Sequence, residues 1–116
     1  MSSVRWRFYR SATGRDVVRD ELLDLGVAAR AAVAEAMRRI ARSEHFPYEQ
    51  EHIAGDLHAV RVFLEGCTYR VLYAREGAHD HILLALHTFQ KKDRKLPLTA
   101  RRLAERRLRD WRSRAT

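Results

Sequence analysis

Three apolar segments follow one another between residues 57 and 89, and they limit the folds open to this chain more than any other feature. They are LHAVRVFL (57–64), TYRVLYA (68–74) and HILLALHTF (81–89). Each has the length and the β-branched and aromatic content of a strand. The separators EGC and REGAHD each contain a glycine suited to a tight turn. Because such short connections join antiparallel neighbours, the sequence predicts a three-stranded meander.

The flanking segments predict one further strand and three helices. VRWRFYR (4–10) alternates apolar and polar residues as a half-buried strand does. Apolar residues recur at helical spacing over 16–25 and 27–41, with Gly26 as the break between two helices of an antiparallel hairpin. The polar stretch 42–56 predicts a connector, and a last helix begins after Pro97.

The predicted element order is therefore β-α-α-β-β-β-α. It describes an α+β fold in a single domain, residues 1–116, with an antiparallel sheet as its core. The N-terminal helical hairpin and a C-terminal basic helix are expected to pack against that sheet.

Positive charge is concentrated at the C-terminal end. Residues 1–90 hold twelve Arg and twelve Asp or Glu, so their charges cancel. Residues 91–116 hold eleven Lys or Arg against three Asp or Glu, which accounts for the whole net charge of +8. A localised excess of this kind is typical of a surface that binds a polyanion, although a solvated arginine-rich helix face has the same composition.

Other functional classes find little support. No apolar run approaches the ~20 residues that span a bilayer, and the N-terminus lacks the apolar region of a signal peptide, so we expect a cytoplasmic protein. Cys67 is the only cysteine. The six histidines do not occur at metal-ligand spacing, and no glycine loop for phosphate or nucleophile elbow is present. We therefore expect no metal and no cofactor.

Cationic side chains on the predicted strands are the best candidates for a site. Arg61 and Arg70 each lie in an apolar strand, in the opposite phase to their apolar neighbours, and His87 shares a face with Phe89. An arginine inside such a strand is costly unless it is paired or lines a cleft. The alternative for either arginine is an ion pair with a helix carboxylate such as Asp20 or Glu21, and His87 could equally be a core-edge residue.

The only three lysines, Lys91, Lys92 and Lys95, follow the third strand together, while arginine serves everywhere else. If the strands are adjacent, this lysine cluster, the two arginines and His87 converge on one side of the sheet. Neighbouring cations lower the pKa of a lysine, so a lysine can supply charge and also exchange a proton, which arginine does not do.

The order of these motifs resembles the RelE/HigB-like toxin family of bacterial type II toxin–antitoxin modules, and within it the phage-derived HigB-type branch. The resemblance lies in a strand of the form L-x-x-x-R, the strand YRVLY and the segment F-x-K-K-x-x-K-x-P, followed by a basic helix beginning TARRLAERRL. It extends from residue 4 to about residue 110 and is most specific over 57–97.

The resemblance implies a RelE/ParE-like fold and an endoribonuclease that cleaves messenger RNA, usually on the ribosome. In such a reaction a base takes the proton of a ribose 2′-OH, the oxygen attacks the adjacent phosphorus, cations stabilise the added charge and an acid protonates the leaving 5′-oxygen. The implied catalytic residues are Arg61, Arg70, His87, Lys91, Lys92 and Lys95. The implied RNA-binding residues are Tyr73, Arg94, Arg101 and Arg102.

The resemblance also implies a helix-turn-helix (HigA-like) antitoxin as partner in a hetero-oligomer, and we expect an acidic antitoxin segment to cover residues 91–112. The residues do not assign the general base or the general acid, and a strand tyrosine such as Tyr73 is more often a core residue than a stacking one. Two alternatives stay open: a non-nucleolytic, gyrase-directed toxin of ParE type, and a basic nucleic-acid-binding accessory protein without catalysis.

Overall fold

The computed structural model describes residues 4–91 and 96–114, which form one five-stranded sheet and three helices. The elements are β1 (Arg5–Phe8), α1 (Val17–Leu23), α2 (Val27–Ala41), β2 (Gln50–Ala54), β3 (Leu57–Leu64), β4 (Cys67–Glu76), β5 (Ile82–Lys91) and α3 (Leu98–Arg114). Short 3-10 turns at Pro47–Glu49 and Ala78–Asp80 precede β2 and β5. The chain is therefore of mixed α and β structure, compatible with the predicted α+β class.

The central meander is confirmed. The strand order is β1-β5-β4-β3-β2, and β3, β4 and β5 pair antiparallel with their neighbours in sequence. Gly66 in the β3–β4 turn has φ of 79°, a backbone conformation that favours glycine. The tight turn that the sequence predicted therefore joins β3 to β4.

Two features of the sheet differ from the prediction. Residues 42–56 are not a simple connector, since they contain β2, which pairs antiparallel with β3 and adds one strand to the predicted element order. The sheet is also not wholly antiparallel, because β1 pairs parallel with β5. A parallel neighbour is distant in sequence, so local patterning carried no information about this pairing.

Both sheet faces are partly covered by helices. The predicted core stripe of α2 is buried, and its residues are Ala29, Val33, Ala36, Met37 and Ile40. α2 packs against β3, and the Trp6 indole N–H of β1 donates to the Met37 carbonyl at 2.7 Å. α3 packs against β4 and β5 through Ala100, Ala104 and Leu108. None of the described helices has the length and apolar character needed to cross a bilayer.

Candidate functional site

The register of the meander brings the predicted cationic residues onto one sheet face. Arg61 of β3 lies directly opposite Arg70 of β4, and Arg70 lies opposite Phe89 of β5. Directly paired residues point to the same face, so these three side chains form one row across the sheet. The neighbouring row toward the β3–β4 turn contains Phe63 and Lys91, both paired with Thr68.

Arg70 is held in the sheet by a carboxylate that the sequence analysis did not identify. Glu51 of β2 lies with its Oε2 atom 3.0 Å from Arg70 Nη1 and 3.6 Å from Arg61 Nε. Arg70 is only 5% exposed, whereas Arg61 and Glu51 are partly open to solvent. The ion pairs that we considered with Asp20 or Glu21 are therefore not those of the structure.

One carboxylate serves two guanidinium groups, which leaves the cluster with unsatisfied donors. Burial lowers the pKa of Arg70, Glu51 opposes this shift and the neighbouring Arg61 reinforces it. The Nε atoms of Arg61 and Arg70 are both buried without a hydrogen-bond partner among the described residues. Buried donors of this kind are rare and costly. Two guanidinium groups beside one carboxylate leave the cluster with one positive charge in excess, which is the electrostatic character of an anion site.

His87 lies on the same face, one row away from Arg70. It pairs with Leu72 of β4, and a bulge that follows places Leu86 as the extra residue of β5. The His87 ring stacks on Phe89, with centroids 4.9 Å apart and planes at 20°. The predicted convergence of Arg61, Arg70 and His87 on one side of the sheet is therefore what the strand register shows.

Glu21 of α1 fixes the orientation of His87. Its Oε1 atom is 3.0 Å from His87 Nδ1 and also accepts the backbone N–H of Thr88 at 3.1 Å. Arg107 of α3 donates to the same carboxylate at 3.0 Å and to the Leu86 carbonyl at 2.9 Å. The Glu21 carboxylate therefore links α1 to the bulge of β5 and to α3.

The electrostatics of Glu21 keep that carboxylate ionised. Burial alone would raise the pKa of Glu21. The hydrogen bond and charge of His87, the Thr88 N–H and the charge of Arg107 together lower that pKa by more than burial raises it, so the net shift is downward. An ionised carboxylate only accepts hydrogen bonds, so His87 Nδ1 carries the proton toward it. In neutral His87 the Nε2 atom is then unprotonated and able to accept a proton.

The lysine cluster begins where the described part of β5 ends. Lys91 is the last residue of β5, partly buried, and lies in the row next to Arg70 and Phe89. Lys92, Arg94 and Lys95 lie outside the described residues, so their predicted roles stay predictions. Lys91 nevertheless ends β5 on the arginine face, and the other two lysines follow it in sequence.

Tyr73 does not support the prediction of a base-stacking role. It is fully buried, its hydroxyl accepts a hydrogen bond from Gln50 Nε2 at 2.7 Å, and the ring of Trp6 packs on it at 5.0 Å. Alternation along β4 also places it on the face opposite Arg70. A ring in this position has no open face for a base, so Tyr73 belongs to the core.

The C-terminal helix uses part of its charge inside the molecule. Arg101 pairs with Glu105 at 3.2 Å, and Arg112 pairs with Glu76 at 2.9 Å. Arg102 is exposed. The predicted polyanion surface of α3 is therefore smaller than the count of its arginines indicates, because Arg107 and Arg112 bind groups of the sheet and Arg101 pairs within the helix.

No group of three or more His, Cys, Asp or Glu side chains suited to a metal ion occurs within residues 4–91 and 96–114. Glu51 and Glu21 are the site residues whose positions the sequence did not assign. The only signal for Glu51 is the alternation of QEHIA, which is short and mostly polar.

A family model for phage-derived Gp49-like proteins (DUF891) matches residues 20–109. This range contains the described residues of the site, from Glu21 to Arg107. The chain belongs to the Gp49-like family. Gp49-like proteins are of the RelE/HigB-like toxin type, so the resemblance is confirmed at this level, while the HigB-type branch stays a prediction. No curated protein sequence matches the chain.

Proposed function

We propose that this Gp49-like protein is the toxin of a type II toxin–antitoxin module and has the RelE/ParE fold. We also propose that it acts as a metal-independent endonuclease that cleaves ribosome-bound mRNA. The observation that carries the proposal is the row of Arg61 and Arg70, which share one carboxylate, next to a histidine oriented by Glu21. Membership of the Gp49-like family supports the toxin assignment.

Arg61 and Arg70 bind the scissile phosphate in this proposal. Their guanidinium groups supply planar, permanently charged donors, which suit the oxygens of a phosphate. Charge builds on those oxygens when the phosphorus becomes five-coordinate. Removing one well-placed donor from such a site typically lowers the rate by about 10²–10³.

His87 is the proposed general base. Its Nε2 atom accepts the proton of the ribose 2′-OH, and the 2′-oxygen attacks the adjacent phosphorus. The bond to the 5′-oxygen breaks, and a lysine of the cluster Lys91, Lys92 and Lys95 gives that oxygen its proton. The products are one strand ending in a 2′,3′-cyclic phosphate and one beginning with a 5′-hydroxyl. General acid–base assistance of this kind contributes about 10²–10⁴-fold.

A helix-turn-helix antitoxin is the proposed regulator. An acidic segment of that partner would neutralise the basic stretch 91–112, whose exposed arginines include Arg102, Arg106 and Arg109. The complex of the two chains would form in the cytoplasm, where the toxin meets mRNA and the ribosome.

The chemistry of the RNA ends tests the proposal. RNA from cells that express the wild-type protein briefly is mapped for new ends, and the ends are typed by ligation before and after phosphatase and kinase treatment. We expect 5′-hydroxyl ends in the wild type and their loss in Arg70→Gln. Arg75→Gln is the matched control, because Arg75 lies on the same strand but in the opposite phase. New 5′-phosphate ends would contradict the proposed attack by the 2′-oxygen.

A further inference from the structure

Three aromatic side chains are held on the surface beside the arginine row. Phe46, Tyr48 and Phe63 are 52%, 53% and 53% exposed. The Phe46 and Tyr48 rings are parallel within 4° at 5.8 Å, and Tyr48 lies 6.1 Å from Phe63. A contiguous group of exposed rings marks an interaction surface more often than a solvated face.

Arginines lie at both ends of this group. The Arg39 guanidinium is 5.6 Å from the centre of the Phe46 ring, and that of Arg61 is 5.4 Å from the centre of the Phe63 ring. The aromatic row, defined as Phe46, Tyr48 and Phe63, thus leads from α2 to the proposed phosphate site. Phe63 has the same phase on β3 as Arg61, so the row ends on the arginine face.

The segment that carries Phe46 and Tyr48 is fixed rather than loosely attached. Glu49, only 2% exposed, accepts hydrogen bonds from both Arg39 Nε at 3.0 Å and the Phe46 backbone N–H at 2.9 Å. β2 begins at Gln50, opposite Val60, so this turn packs beside the last residues of β3. The rings are therefore positioned before any ligand arrives.

We propose that the aromatic row binds the unpaired bases of single-stranded RNA whose backbone continues to Arg61 and Arg70. Flat rings interleaved with cations are how proteins bind single strands, since every base has a face to stack and every nucleotide a phosphate. The inference rests on the proposed function for the identity of the substrate. It adds where the strand lies beyond the bond that is cut.

The test compares two probes that the proposed reaction cannot cut. One is a fluorescent 2′-O-methyl oligoadenylate, which lacks the attacking hydroxyl, and the other is its abasic counterpart of equal length. Anisotropy titrations of the wild-type protein should show at least tenfold tighter binding of the probe with bases. Phe63→Leu and Tyr48→Leu should each weaken binding of that probe by about tenfold, with little change for the abasic probe.

Two further variants control for folding and for general hydrophobicity. Phe63→Trp keeps a flat ring and should retain the preference for bases. Because it also changes residue 63, a loss of binding caused only by disturbed folding at this position would appear in Phe63→Trp as well. Val27→Ala removes an apolar side chain that is 74% exposed at the start of α2, and it should change nothing. Equal affinity of the wild-type protein for both probes would overturn the proposal.

The remaining outcomes separate the aromatic row from the nuclease. If the leucine variants keep the preference for bases, the row is not a stacking surface, even if Arg70 proves essential for cleavage. If those variants instead convert a wild-type dimer to monomer in sedimentation and leave RNA binding unchanged, the row is a contact between two copies and the proposal is overturned. If the base preference and its loss are seen without any cleavage of natural RNA, the row stands and the nuclease falls.

Discussion

Arg61 and Arg70 face each other across β3 and β4, and both guanidinium groups approach the same Glu51 carboxylate. Like charges directly opposite in a sheet repel each other, so the pair requires an anion between or above them. Glu51 supplies one negative charge for two positive ones. The remaining positive charge is what would attract a phosphate to this pair.

Glu51→Gln should separate a structural trio from an anion site. Removing the carboxylate leaves Arg61 and Arg70 without their counterion, so the free energy of unfolding should fall. Affinity for RNA should rise by about three- to tenfold at low salt, because the loss of one negative charge makes the site more positive and favours binding of the polyanion. Urea unfolding and anisotropy with an uncleavable RNA measure the two effects. Unchanged RNA affinity at low salt in Glu51→Gln would contradict a phosphate site at these arginines.

Arg70→Lys should cleave RNA more slowly than the wild-type protein, although it keeps the positive charge. Lysine keeps the charge but cannot offer two parallel donors from a fixed plane, and at a buried position its shorter head loses contact with Glu51. We expect cleavage reduced by about 10-fold or more relative to wild type, and by about 10²–10³ in Arg70→Gln. Initial rates on a ribosome-bound message give both values. Full activity in Arg70→Lys would mean that only charge matters at this position.

Glu21→Gln should alter both acid stability and the pH profile of cleavage. The pKa of Glu21 is lower in the folded protein than in the unfolded chain, so the unfolded chain takes up the proton first as the pH falls. The stabilisation is therefore complete above about pH 5 and is lost as the pH drops through the folded-state pKa. The free energy of unfolding should consequently depend less on pH below about 5 in Glu21→Gln.

Cleavage by the same Glu21→Gln variant should fall, with a shifted pH profile, because His87 loses the carboxylate that orients its ring. Glu105→Gln, which removes an ion pair on the surface of α3 at 3.2 Å, is the control and should leave the profile unchanged. An unchanged profile in Glu21→Gln, together with normal acid stability, would contradict the role given to His87.

Tyr73→Phe tests whether the buried tyrosine takes part in RNA binding. The substitution removes only the hydroxyl that accepts from Gln50, so the free energy of unfolding should fall by about 1 kcal/mol. RNA affinity and cleavage per folded molecule should equal those of the wild type. A selective loss of RNA binding would return Tyr73 to the site.

The meander could be predicted because local signals determine it. Glycine turns and separators of a few residues leave little choice of neighbour for β3, β4 and β5, and side-chain alternation then places Arg61 and Arg70 on one face. The core stripe of α2 followed from helical periodicity in the same way. These features depend on residues close in sequence.

The features that escaped prediction depend on residues far apart. β2 is short and polar, and its strand character comes from pairing with β3, so Glu51 gave no sign that it would lie between two arginines. β1 pairs parallel with β5, and most of the chain separates these two strands in sequence. The sequence left Tyr73 open as a core or a stacking residue, and the packing of Trp6 and Gln50 around it shows that it is buried.

The lysine cluster is the part of the candidate site that rests most on sequence. Lys91 ends β5 on the arginine face, and Lys92 and Lys95 follow it outside the described residues. A graded set of single substitutions to Ala should therefore rank the three lysines, with the proton donor showing the largest loss of cleavage and a changed pH profile. Equal, small losses at all three would assign them to backbone binding alone.

Primer extension on a reporter mRNA after brief induction tests the central claim most directly. Wild-type protein is compared with Arg70→Gln and Arg75→Gln, on a translated message and on a copy without a start codon. We predict cuts confined to the translated copy, kept in Arg75→Gln and lost in Arg70→Gln. Growth arrest with intact mRNA would contradict the nuclease assignment and favour a non-nucleolytic toxin with the same fold.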